Sequence, residues 1–324
     1  MIRNRQTSTW WWRLAVALAA IWAAPAQTHG AERGPTSSPA LAPAGAHGNF
    51  AQPVAIRGGR KLYLECRGAG SPTVVLAAGT GDRADVWSEP SGHGEPVLPA
   101  VARFTRVCAY DRPGTFRSPG SLSRSDPIAM PRSARDIVLD LRALLRAARV
   151  PGPYVLVGHS FGGLVARLYA TTYPRSTAGL VLIDAQNEHY AAAYKKFLTP
   201  QQYTAAVLNP GPPPGLGSYS AIERLSLELS AAEMSQAQAD TPLGRMPLVV
   251  LSNSRELPNP FGLPADWPIE PLERAFQDSQ DKLADLVPGA SHVIAAKSGH
   301  YIQLDQPELV TREIHRVVRA ARSR

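Results

Sequence analysis

The sequence predicts an α/β protein: a mostly parallel sheet with helices on both faces. Three observations carry that expectation. Short, fully apolar runs recur along the chain, as in strands buried on both sides. Between them lie stretches with helical apolar spacing. One run, Tyr154-Val155-Leu156-Val157, passes through Gly158-His159-Ser160-Phe161-Gly162 straight into a helical pattern at Leu164, Val165, Leu168 and Tyr169. Strands that alternate with helices have the long crossovers that parallel pairing needs.

The chain has 324 residues, 44% hydrophobic and 19% charged, which suits one large domain with a real core and excludes a disordered chain. Arg3, Arg5 and Arg13 precede an apolar run of about eleven residues, 14–24, far short of a membrane span. Ala24-Pro25-Ala26 follows as an A-x-A cleavage site. Residues 1–26 therefore read as a secretory signal peptide, with a retained amphipathic anchor as the alternative. Residues 27–48, rich in Pro, Ala, Gly and Ser, read as a flexible linker, and 49–324 as the folded domain. Localisation is expected to be secreted or periplasmic, with no stable membrane insertion once the signal is cut.

Strands are expected at 61–66, at 73–77 behind Pro72, and at 104–110. Ser133-Ala134-Arg135-Asp136 resembles a capping box and opens a helix through Ile137, Val138, Leu141, Leu144 and Leu145. The strand at 154–157 and its glycine-flanked turn come next. Further strands are expected at 178–183, 248–251 and 292–296, with a helix at 270–286. Asp305-Gln306-Pro307-Glu308 reads as the start of the last helix. Between Asp184 and Leu248 about sixty residues hold no strand, too long for a simple connection. Thr199-Pro200 and Ser230-Ala231-Ala232-Glu233 look like helix starts there. The segment of about 185–246 is expected to be a helical cap that selects substrate without sharing in the chemistry.

These landmarks resemble the α/β-hydrolase superfamily, from about residue 50 to the end. They are Ala78-Gly79-Thr80-Gly81, Tyr110-Asp111-Arg112-Pro113-Gly114, Gly158-His159-Ser160-Phe161-Gly162-Gly163 and Ser298-Gly299-His300, in the superfamily's order. The resemblance implies an eight-stranded sheet with the cap inserted after the sixth strand. It also implies that the second and fourth strands are neighbours, which would bring Cys66 and Cys108 together. An even cysteine pair in an oxidising compartment suggests a disulfide in its own right.

G-x-S-x-G between strand and helix is the sequence of a nucleophile elbow, so Ser160 is the candidate nucleophile. A serine hydroxyl needs a base, and imidazole suits that task near neutral pH. Of eight histidines, His300 lies just past the last strand, where the superfamily carries its base. The acid that orients it is open between two residues. Asp184 ends the sixth strand; Glu256 follows the seventh. Asp184 is favoured because a buried strand gives it a rigid base and Pro258 and Pro260 pull the Glu256 loop aside. The oxyanion donors are expected to be the N–H of Phe161 and of Thr80, with Gly81 as the alternative to Thr80. Asp111-Arg112 reads as a structural ion pair or turn near the rim.

The net charge of +8 drops to about +5 without the signal's three arginines, and part of the excess lies in the last helix. No aromatics interleave with those arginines, so nucleic acid is not an expected partner. No cofactor or metal-binding motif occurs, and none is expected. The expected function is hydrolysis of a small-molecule carboxylic ester through an acyl-enzyme. Amide, peptide, thioester and carbon–carbon bond hydrolysis remain alternatives on the same fold, and a non-catalytic ligand-binding homologue is the alternative of another class. The sequence leaves the oligomeric state open.

Overall fold

The computed structural model describes residues 48–118, 121–208, 221–259 and 261–324. The expected signal peptide and, apart from Gly48, the expected linker lie outside these residues. Eight strands form one sheet: β1 (Phe50–Ala55), β2 (Lys61–Arg67), β3 (Thr73–Ala77), β4 (Val107–Tyr110), β5 (Tyr154–His159), β6 (Thr177–Ile183), β7 (Leu248–Ser252) and β8 (Ser291–Ile294). Their spatial order is β1-β2-β4-β3-β5-β6-β7-β8. β1 and β2 pair antiparallel, β2 meets β4 antiparallel, and every later pairing is parallel. Strands β3 to β7 are buried at every position apart from the first two residues of β6. β1 carries Pro53, which an edge strand tolerates because one side of its backbone has no ladder to serve.

The helices are α1 (Val97–Ala102), α2 (Ala134–Ala147), α3 (Phe161–Thr172), α4 (Tyr190–Lys195), α5 (Pro200–Tyr203), α6 (Leu227–Asp240), α7 (Ile269–Ala284), α8 (Ile302–Asp305) and α9 (Pro307–Arg322). One core layer joins α2 and α3 to the sheet through Ile137, Leu141, Leu144, Leu164 and Leu168. The opposite layer joins α1 and α9 through Leu98, Val101, Val310, Ile314 and Val318. Ser133 caps α2 with the expected reciprocal bonds to Asp136, and Thr199 does the same for α5 with Gln202.

Most expected boundaries shift by a residue or two, and three shifts have a clear local reason. β4 starts at Val107 and not at 104, because Phe104 and Thr105 N–H groups donate to Val101 O and close the turn after α1. α6 starts at Leu227, one turn before the expected Ser230. Ser226 is already tied down, its N–H donating to Arg132 O, and Ser230 Oγ instead donates back to Ser226 O inside the helix. The last helix has Gln306, and not Asp305, at its N-cap position, with no side-chain capping bond. Asp305 closes the short α8 and accepts the Gly299 N–H at 3.0 Å.

Cys66 and Cys108 face each other in the β2–β4 register and are joined by a disulfide, with Cα atoms 4.1 Å apart. The segment expected as a cap divides in two. Ala191, Tyr194, Leu198, Tyr203 and Val207 form a separate apolar cluster, completed by Leu263, Trp267 and Leu272 from beyond β7. Met234 of α6 belongs instead to the main core.

Candidate active site

The sheet's strand order reverses between β3 and β5. The crevice beyond the carboxyl ends of strands at such a point is where open α/β sheets bind ligands. The loop after β3 and the turn after β5 both open there.

Ser160 sits between β5 and α3 at φ 53 and ψ −125, a left-handed backbone that a non-glycine residue adopts only when its surroundings hold it. The surroundings are glycine-dependent. A Cβ on Gly158 would lie 2.3 Å from Gly162 O, and one on Gly162 would lie 2.3 Å from Ala77 O. The turn is pinned by Ser160 N–H donating to Ile183 O, and by Gln186 N–H donating to Ser160 O. Ser160 itself is partly exposed while its neighbours on both sides are buried. Phe161 is the first residue of α3, so its N–H is one of the donors without an intrahelical partner.

His300 lies on the loop after β8, with Nδ1 at 2.6 Å from Asp184 Oδ2. Asp184 follows β6 at φ 42 and is fully buried. Its other oxygen, Oδ1, accepts the Asn253 N–H at 2.9 Å. Its own N–H donates to Leu251 O, so β7 and the residue after it hold Asp184 at both ends. Burial pushes the Asp184 carboxyl well above its usual value and pushes the His300 imidazole below its own. With the Asp184 carboxyl ionised, a neutral imidazole donates Nδ1–H to it and leaves Nε2 free to accept a proton. Phe261 and Phe276 pack their rings against His300, centroids 4.7 and 6.4 Å away, and dry its surroundings. Glu256 is exposed on the loop after β7, where its N–H donates to Ser254 Oγ. His300 and Asp184 are thus brought together, and Glu256 stands apart.

In the loop after β3, Gly81 N–H donates to Glu223 Oε2 at 2.6 Å. Thr80 is exposed, and its N–H has no hydrogen bond among the described residues. Arg112 donates to Ala78 O at 2.8 Å and Gly79 O at 2.5 Å, and pairs with Glu223. Asp111, read with Arg112 as a structural ion pair or turn, pairs with Arg124 and also accepts the Ala84 N–H.

Four further residues border the site. His159 is fully buried, its Nε2 2.9 Å from His300 O and its ring centroid 4.6 Å from that of His300. Burial holds it well below the usual imidazole value, hence neutral. Asp82 is pushed up to about 7 by burial and accepts from Tyr301 Oη at 3.3 Å. Asn253 is not singled out by the sequence; its only signal is that it follows a strand next to β6. Tyr301 likewise carries no signal beyond adjacency to His300.

A second serine–histidine–aspartate arrangement exists elsewhere. Ser252 Oγ lies 2.5 Å from His292 Nε2, and His292 Nδ1 lies 3.2 Å from Asp281. Ser252 is fully buried at the end of β7 with ordinary strand geometry, so no carbonyl can approach it. It ties the edge strand β8 to β7 and α7. Among the described residues no cluster of His, Cys, Asp or Glu is placed to hold a metal ion, and no helix is long and apolar enough to cross a membrane.

An eight-stranded, mostly parallel sheet with this switch-point crevice defines the protein as an open α/β fold. The profile of the alpha/beta hydrolase family matches residues 74–313, and the chain belongs to that family. It is 26% identical over 260 residues to the uncharacterized protein YqjL of Bacillus subtilis (strain 168), covering 79% of this chain and 87% of YqjL. Its fold is similar to that of Cfl2 from Burkholderia cenocepacia, at 21% identity and a TM-score of 0.54, over 83% of this chain and 95% of Cfl2. It is also similar to that of CarC, a serine hydrolase involved in carbazole degradation, at 15% identity and a TM-score of 0.52, over 84% of this chain and 99% of CarC.

Proposed function

We propose that the protein is an exported serine hydrolase that cleaves a small-molecule carboxylic ester through an acyl-enzyme. The observation that carries this reading is the 2.6 Å contact between His300 Nδ1 and Asp184 Oδ2, beside a serine held on a strained strand-to-helix turn. Ser160 Oγ attacks the ester carbonyl while its proton passes to His300 Nε2. The carbonyl oxygen becomes an oxyanion that accepts from the N–H groups of Phe161 and Thr80. Collapse breaks the carbon–oxygen bond to the alcohol, which takes the proton from His300 as it leaves. Water then attacks the acyl carbon, gives a proton to His300, and releases the carboxylic acid as Ser160 recovers its proton. Asp184 holds His300 in the tautomer with Nε2 unprotonated, and stabilises the imidazolium between the two transfers. The disulfide is consistent with an oxidising compartment and so with export.

Fluorophosphonate labelling, followed by hydrolysis of a chain-length series of nitrophenyl esters, tests the reading. Wild-type protein should label at Ser160 and turn over at least one ester. Ser160→Ala should do neither while keeping its fold by circular dichroism. Undiminished labelling of Ser160→Ala would overturn the assignment.

A further inference from the structure

The loop after β3 closes on itself through Asp82 N–H donating to Gly79 O at 3.2 Å, and it is held from outside as well. Arg112 Nη1 donates to Ala78 O at 2.8 Å, and Nη2 to Gly79 O at 2.5 Å. The same guanidinium donates through Nε to Glu223 Oε1 at 2.6 Å and through Nη2 to Oε2 at 3.0 Å. Glu223 Oε2 in turn accepts the Gly81 N–H at 2.6 Å. Both charged side chains are 2% exposed. Glu223 belongs to the segment between β6 and β7. It is locked in place there by its own N–H donating to Gly114 O at 2.8 Å. Gly114 permits this approach, for a Cβ on it would lie 2.3 Å from Ala221 O.

The consequence follows from peptide geometry. In a trans peptide the C=O and N–H point in opposite directions. The peptide between Gly79 and Thr80 is trans. Arg112 therefore aims the Thr80 N–H when it binds the Gly79 carbonyl, because both belong to one rigid plane. Glu223 fixes the next plane through the Gly81 N–H. Thr80 is thus clamped on both sides, and its own N–H is left over as a donor. We propose that Arg112 and Glu223 are positioning residues that aim the Thr80 N–H at the oxyanion. The inserted segment then contributes to the chemistry through Glu223, beyond selecting the substrate. This rests on the serine-hydrolase reading above.

A buried ion pair that served only to neutralise itself would affect stability alone. Aiming an oxyanion donor affects the transition state and not the ground state, so it moves kcat with little change in KM. The test compares Glu223→Gln and Arg112→Lys with wild type on a nitrophenyl ester, well below the melting temperature of each variant. Glu223→Gln keeps an acceptor for Gly81 but weakens the hold on Arg112; Arg112→Lys loses the fork that reaches two carbonyls. Each should lower kcat by about tenfold or more with KM within about twofold. A fall in melting temperature with kcat unchanged would overturn the proposal. So would a loss confined to KM. A second measurement needs no variant. Binding of an alkylboronic acid to 15N-labelled wild type should shift the Thr80 amide strongly and leave Gly81 nearly unmoved. A shift at Gly81 in place of Thr80 overturns the proposal even if neither variant folds. Wild type inert to both ester and fluorophosphonate would sink the serine-hydrolase reading itself. Active wild type with equally active variants would sink the positioning role alone.

Discussion

Replacing Asp184 with asparagine exchanges one oxygen for an NH2, and the hydrogen bonds around it dictate which way the new side chain must turn. Asp184 Oδ1 accepts the Asn253 N–H, so an acceptor is needed at that position. The amide oxygen of the substituted side chain fills it. The amide NH2 is then directed at His300 Nδ1, where the carboxylate oxygen stood at 2.6 Å. An NH2 there cannot accept, so Nδ1 must become the acceptor and the imidazole proton moves to Nε2. Nε2, the nitrogen that takes the serine proton in the proposed mechanism, is then a donor and cannot accept it. The imidazolium that forms during attack also loses its carboxylate. Loss of the correct tautomer costs about a thousand- to ten-thousand-fold in kcat, or about 4–5.5 kcal/mol of barrier. Stability should move the other way or not at all. Burial raises the Asp184 pKa, so its ionisation at neutral pH works against folding, and a neutral isostere removes that cost. The assay is kcat on the best nitrophenyl ester beside a urea midpoint. Glu256→Gln is the control, since that side chain is exposed and should leave kcat within about twofold. Asp184→Asn with kcat within about tenfold of wild type, or Glu256→Gln as the more damaging change, would refute the reasoning.

Two other outcomes follow from buried groups. Asp82 is pushed up to about 7 by burial, from an ordinary value of 3.8, so folding takes up a proton between those values. Its contribution to stability is full below the lower value and is lost as pH rises towards the upper one. The urea midpoint of wild type should therefore fall by more than that of Asp82→Asn between about pH 4 and pH 7, and equal slopes would refute the assignment. For the disulfide, the chain between Cys66 and Cys108 closes a loop with a sequence separation of 42. Replacing both cysteines by alanine should lower stability by up to about 4 kcal/mol in the loop-closure picture, read from denaturant unfolding. Two free thiols in native protein purified from a periplasm or medium would show that the bond does not form there.

Much of the fold was legible because the relevant signals are local. The strand-to-helix turn announces itself by two glycines around Ser160 and by the apolar run before them. The folded chain needs both glycines, since a side chain on either would collide with neighbouring backbone. The place of His300 just past the last strand was legible from the same alternation of strands and helices. Which carboxylate lies beside it was not settled, because sequence order does not say which strand end faces the His300 loop. In the folded chain β6 and β7 are adjacent, and Asn253, just past the second, fixes the carboxylate that follows the first. Glu223 was invisible for a related reason. A lone glutamate in an irregular stretch has no period and no cap to betray it, and its role depends on a partner 111 residues away. Arg112 lies in a motif that reads as an ion pair or turn, and nothing in it says that Asp111 pairs with Arg124 and Arg112 with Glu223.

The link between Glu223 and Arg112 bears on how this fold can be re-engineered. Insertions after the sixth strand invite exchange, because they look like modules hung on an invariant sheet. Here a transplant of residues 190–240 from another hydrolase would arrive without the carboxylate that Arg112 expects, and would leave a guanidinium stranded in a dry interior. A chimaera should therefore take its crossover point after Leu225 and keep the host's own 221–225. Alternatively it should carry the donor's counterpart of Arg112 along with the graft. In this chain the segment between β6 and β7 and the loop after β3 share a bolt.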